Sequence, residues 1–120
     1  MKKTQIVALV DTMMFRTSLR EQCSAAGAEV ILPSRNAQWT LPLIDGEVSA
    51  ILVELSSVTS EREATVTNLL STFPRVVQIG FASHIDKEAP MTGKRLGISR
   101  IIPRSRLSDT VVALLKGDPE

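Results

Sequence analysis

Six polar side chains in this chain stand directly after apolar runs, where an end of buried structure meets solvent. Asp11 and Thr12 follow QIVALV, and Glu54 closes AILVE. Ser83 and His84 follow IGFA, and Arg104 follows RIIP. Acids of this kind can anchor a divalent cation, and a guanidinium can grip phosphate through two parallel hydrogen bonds. Together the six form one candidate ligand-binding set: Asp11, Thr12, Glu54, Ser83, His84 and Arg104. Each also has an ordinary structural alternative. Asp11 suits the N-cap of a helix, and Glu54 with Arg104 suits an ion pair. At about 4 Å and an effective dielectric near 20, that pair has a gross attraction of roughly 4 kcal/mol before desolvation. His84 is the sole histidine, so a metal there would need several other donors. A solvated loop residue is the simpler reading, and a titrating switch the sharper one.

These positions converge only if the surrounding elements place them at one edge. Residues 5–10, 28–32, 49–55, 75–81 and 99–103 are Val- and Ile-rich and largely continuous, the pattern of strands covered on both faces. Between them run helical patterns. Over 15–26, Phe15, Leu19, Cys23 and Ala26 make a stripe that ends at Gly27. Over 61–73, Val66, Leu69, Leu70 and Phe73 make another, with Ser60 and Glu63 spaced as a capping box. Over 106–116, Leu107, Val111, Leu114 and Leu115 make a third, with Ser105 as its cap. Residues 35–46 and 86–95 carry Pro42 and Pro90, so short or irregular helices are expected there. The alternation predicts five βα units in one domain over 1–120. They build a three-layer α/β/α fold with a five-stranded parallel sheet and right-handed crossovers. Ligands of such sheets bind outside the carboxyl ends of the strands, where the six polar residues fall.

Composition excludes several classes. The net charge is +1, which draws the chain to neither nucleic acid nor a membrane. The one apolar run near the start, Ile6 to Val10, is too short for a signal sequence or a membrane span. One cysteine precludes an internal disulfide framework and fits a reducing, cytoplasmic setting. Cys23 reads as a small core residue. Met13 and Met14 read as cover for the core edge or as part of a contact surface, and the sole tryptophan, Trp39, as core filler or a partner anchor. Arg100, Arg104 and Arg106 cluster without aromatic interleaving, so nucleic-acid binding is not expected. No phosphate-cradling glycine motif follows the first strand, and no cofactor is expected.

VDTMMFRTSLREQCSAAGAEV resembles the first strand, acidic loop and first helix of response-regulator receiver domains. LGISRIIPRSRLSDTVVALL resembles their final strand and helix, and the likeness covers nearly the whole chain. GFASHID and PRSR are also similar to a set of receiver-like bacterial proteins with no established activity. The resemblance implies a flavodoxin-like fold with strand order 2-1-3-4-5. It also implies a phosphorylation site at Asp11, Glu54, Ser83 and Arg104, and the chain departs from the receiver pattern there. Asp11 is the only acid where a Mg²⁺-holding pair is usual, and Glu54 replaces the phosphoacceptor Asp. Ala82 or Ser83 takes the switch hydroxyl position, and Arg104 replaces Lys. Glu is one methylene longer than Asp, about 1.5 Å, and phosphoryl transfer depends on positioning.

The reading is therefore a stand-alone pseudo-receiver with a degenerate site. It is a signalling and protein-interaction module, not an enzyme, and not phosphorylated in the usual way. No metal is expected, Asp11 and Glu54 being the only Mg²⁺ candidates. The resemblance places a protein partner or homodimer on the fourth helix, fifth strand and fifth helix, around residues 87–115. The alternative is a small-ligand or phosphate-binding protein or enzyme using Asp11, Glu54 and Arg104.

Overall fold

A computed structural model describes residues 3–117. Five strands form one parallel sheet: β1 (Thr4–Leu9), β2 (Glu29–Ile31), β3 (Glu47–Glu54), β4 (Val77–Ala82) and β5 (Arg100–Pro103). The order is β2-β1-β3-β4-β5, as the sequence predicts. Four α-helices cover it: α1 (Met13–Ala25), α2 (Glu63–Thr72), α3 (Ala89–Leu96) and α4 (Leu107–Leu115).

The continuous apolar runs serve two cores at once. Successive strand side chains point to opposite faces. Thus Ile6, Ala8, Ala50 and Leu52 pack with Leu19 and Cys23 of α1 and Leu107 and Val111 of α4. Val7, Leu9, Ile51 and Val53 pack with Val66 and Leu69 of α2 and Leu96 of α3 on the other face. Burial pushes the Cys23 thiol pKa up, as suits a core residue rather than a reactive thiolate.

The helix expected over 35–46 is absent, so the chain has four βα units and not five. Trp39 adopts a left-handed backbone with φ of 59°, which a helix interior does not admit. The Asn36 side chain closes a local loop instead, accepting from the Thr40 N–H at 3.1 Å and donating to its hydroxyl at 2.8 Å. Short polar side chains compete with helix in this way. Two expected caps also fail. Ser60 donates to Glu61 rather than capping α2. Ser105 lies inside a 3-10 turn, Arg104–Arg106, that precedes α4.

At the amino end of the sheet, buried Gln5 steers the entry to β3. Its amide donates to Glu29 and Asp45 and accepts from the Gly46 N–H at 2.7 Å. A Cβ on Gly46 would stand 2.4 Å from the Lys3 carbonyl oxygen and 2.5 Å from Gln5 Cδ. Gly46→Ala should therefore cost about 2 kcal/mol of stability through forced backbone displacement, measured by urea unfolding.

Candidate functional site

β3 ends at Glu54, beside β1 on one side and opposite Phe81 of β4 on the other. That position brings its side chain under the turn joining β1 to α1. Glu54 is only 4 % exposed. Its Oε1 accepts from the backbone N–H of Asp11 at 2.8 Å, the N–H of Thr12 at 3.1 Å and the Ser57 hydroxyl at 2.8 Å. Its Oε2 accepts from the Thr12 hydroxyl. A carboxylate taking several donors in a shielded site makes charge-assisted bonds, stronger than neutral ones. Thr12 is the N-cap of α1, yet its hydroxyl makes no cap bond to the helix. The negative charge at that helix start comes instead from Glu54, where the helix dipole favours it.

The extra methylene of Glu has a structural use here. Glu54 must span from the end of β3 to two amides on the neighbouring loop. A side chain about 1.5 Å shorter would fall short of both.

The expected Glu54–Arg104 ion pair does not form, because Glu54 is turned into the β1–α1 loop and Arg104 stays exposed. Asp11 is not the N-cap either. Its carboxylate lies 3.4 Å from Arg35 Nε and 3.4 Å from Arg62 Nη2. Arg62 donates further to the carbonyls of Ser57 at 2.9 Å and Asn36 at 3.0 Å, and its guanidinium sits 4.4 Å over the Trp39 ring. Trp39 is fully buried. Close by, buried Arg16 ties the Val10 carbonyl to that of Pro33. Burial first, then the charges of Arg20 and Arg35, lower the Arg16 pKa, while Asp11 opposes them. The sequence reading missed Arg62, whose partners apart from Ser57 lie far away along the chain. Its spacing from Asp11 and Trp39 carries no local signal.

Thr12, Glu54, Ser83 and Arg104 line one cavity of about 570 Å³ at the carboxyl end of the sheet. The other two candidates do not line it: Asp11 faces the arginines, and His84 is exposed on the β4–α3 loop. Phe15 and Phe81 also line the cavity, their rings edge to face with centroids 5.5 Å apart. Met13 and Met14 do not cover the core edge as expected. They are 51 % and 72 % exposed, because α1 begins at Met13 and turns its first residues outward.

These residues do not fit a Mg²⁺ ion. One acid is flanked by two guanidinium groups and the other is saturated by donors, whereas Mg²⁺ needs free carboxylate oxygens. Among the described residues no three metal-ligating side chains group together, and no helix is long and apolar enough to cross a membrane.

No family model matches the chain, and no curated protein matches it in sequence. Solved structures do match. The signal receiver domain of an HD-domain protein from Pseudomonas fluorescens superposes with a TM-score of 0.68 at 13 % identity, covering 97 % of this chain and 94 % of that one. The fold is that of a receiver domain. A phosphorylated cyanobacterial phytochrome response regulator matches with a TM-score of 0.62 at 15 % identity, over 96 % and 90 % of the two chains. A chemotaxis response regulator of Vibrio cholerae matches at 0.63 and 13 % identity, over 96 % and 98 %. Such distant likenesses carry architecture and not chemistry. The receiver fold is therefore the frame, and the chemistry at its carboxyl end must be read from this chain's own side chains.

Proposed function

We propose that this receiver-like chain is a signalling module that acts through protein contact and is neither an enzyme nor phosphorylated in the usual way. One observation carries the reading. The carboxylate at the phosphoacceptor position is buried and holds four donors. A nucleophile must present a free oxygen in line with the transferred phosphorus. Glu54 would have to break the loop it supports in order to do so. The same contacts hold the β1–α1 loop in one conformation, so the module has a fixed state rather than a phosphate-dependent one. The contact surface of this reading is the face of α3, β5 and α4, for a partner or a second copy, and the resemblance to receivers is what supports it.

The alternative, a phosphate or metabolite binder built on Asp11, Glu54 and Arg104, has less support. The three charged groups do not converge, and among the described residues Arg104 is the only cation lining the cavity.

Incubation with acetyl phosphate and Mg²⁺, followed by intact mass measurement, tests the reading. The mass is expected to stay unchanged. An adduct of one phosphoryl group mapped to Glu54 or Asp11 would refute it.

A further inference from the structure

β2 forms one edge of the sheet, with β1 as its strand neighbour. Among the described residues, the backbone groups of β2 that point away from β1 meet no other strand. Such an edge is a template for further pairing. Along it runs a groove of about 430 Å³, lined by residues 29–32 in succession. Successive strand residues face opposite sides of a sheet, so a groove that touches all four meets the strand edge-on. Its walls agree. Arg16 and Arg20 come from α1 on one face of the sheet, and Leu43 and Asp45 from the loop packed on the other. That loop stands where a helix was expected, and Leu43 on it is 81 % exposed.

The groove carries its charges at opposite ends. Arg16 ties the Val10 carbonyl to that of Pro33, just past the carboxyl ends of β1 and β2, and Arg20 follows one turn along α1. Glu29 and Asp45 both accept from the Gln5 amide at the amino end. Among the described residues, neither arginine forms an ion pair with either acid. Two cations and two anions share one groove, and a single chain leaves them apart.

We infer that two copies of this chain pair edge to edge through β2, as antiparallel neighbours in one continuous sheet. A second copy turned about a twofold axis sets the arginine end of each groove beside the acidic end of the other. A copy laid parallel would instead set like charges together, which is destabilising. The strand has only three residues, too few for its backbone ladder alone to hold a partner. The segregated charges therefore choose the partner and fix its direction, because an unrelated strand would need the same separation of signs. The inference stands apart from the protein-contact reading above. β2 and β5 are opposite edges of the sheet, so the face of α3, β5 and α4 stays open in this dimer.

Sedimentation velocity of the full chain over a concentration series tests the pairing. A monomer–dimer equilibrium is expected, and added salt should weaken it. Arg20→Glu and Glu29→Lys should each raise the dissociation constant at least about tenfold, because a symmetric dimer of either variant juxtaposes like charges twice. Mixed in equal amounts, the two variants should form a heterodimer about as tight as the parent dimer, since both contacts then join opposite signs. Arg20 and Glu29 are exposed, and unchanged melting temperatures establish that each variant is folded. If Glu29→Lys is unstable through its lost Gln5 contact, Asp45→Lys takes its place in the mixture. A parent that stays monomeric throughout the series overturns the inference. So does a dimer that neither variant weakens, or a mixture no tighter than its components. A dimer broken only by Met91→Asp in α3 also overturns it, by assigning self-association to the face of α3, β5 and α4.

Discussion

Glu54→Ala is expected to lose about 3 kcal/mol of folding stability, measured by urea unfolding with an unchanged m-value. The substitution strips the acceptor from the N–H groups of Asp11 and Thr12 and from two hydroxyls. The hydroxyls can turn to water, but the two amides are fixed at the loop. Each of these part-buried amides left without a partner costs about 1–3 kcal/mol. The conservative variants separate reach from charge. Glu54→Gln keeps an oxygen at the same distance and should cost about 1 kcal/mol, the loss of charge assistance. Glu54→Asp keeps the charge but withdraws it by about 1.5 Å, and should cost about 2 kcal/mol. An order in which Asp is milder than Gln would mean that charge, and not the span across the strands, is what position 54 supplies.

The second large effect is expected at Trp39, where alanine should cost about 4 kcal/mol. Trp39 is the largest fully buried side chain and anchors the loop that replaces the second helix. Its loss opens a cavity and removes the ring beneath the Arg62 guanidinium. Arg62→Ala should cost about 2 kcal/mol through the carbonyls of Ser57 and Asn36. The double variant should fall short of the sum by about 1 kcal/mol, since the stacking contact can be lost only once. Strict additivity would show that Arg62 and Trp39 do not support each other. Typical domains hold only about 5–15 kcal/mol in total, so this loop accounts for a sizeable share.

The sheet was legible because its strands are buried on both faces and need unbroken apolar runs. Residues 5–10 and 49–55 mark β1 and β3 to within two residues at each end. Helices α1, α2 and α4 were legible from stripes of one apolar face. The 35–46 segment was not, because a single backbone turn at Trp39 decides it, and aromatic residues carry no local preference for positive φ. At the carboxyl end, the sequence marks which polar residues follow which strands. It does not encode where their side chains turn. Glu54 stands 43 and 42 residues from the two amides it accepts, and amides carry no side-chain signature. Arg104 stood as the structural alternative partner because it too follows a strand end on that rim. Two backbone donors on a neighbouring loop displace it, because they are already held in place and Arg104 would lose side-chain freedom to reach Glu54. Asp11 likewise goes to Arg35 and Arg62, neither of which follows a strand end.

Amide hydrogen exchange at Asp11 and Thr12 tests the central claim most directly. If the Glu54 carboxylate holds both N–H groups, they exchange slowly in the parent protein, and Glu54→Ala frees them while the β1 and β3 amides stay protected. Fast exchange at both residues in the unaltered chain would mean that the carboxylate is free at its strand end, and the account of a Glu54 closed off by its donors would be wrong.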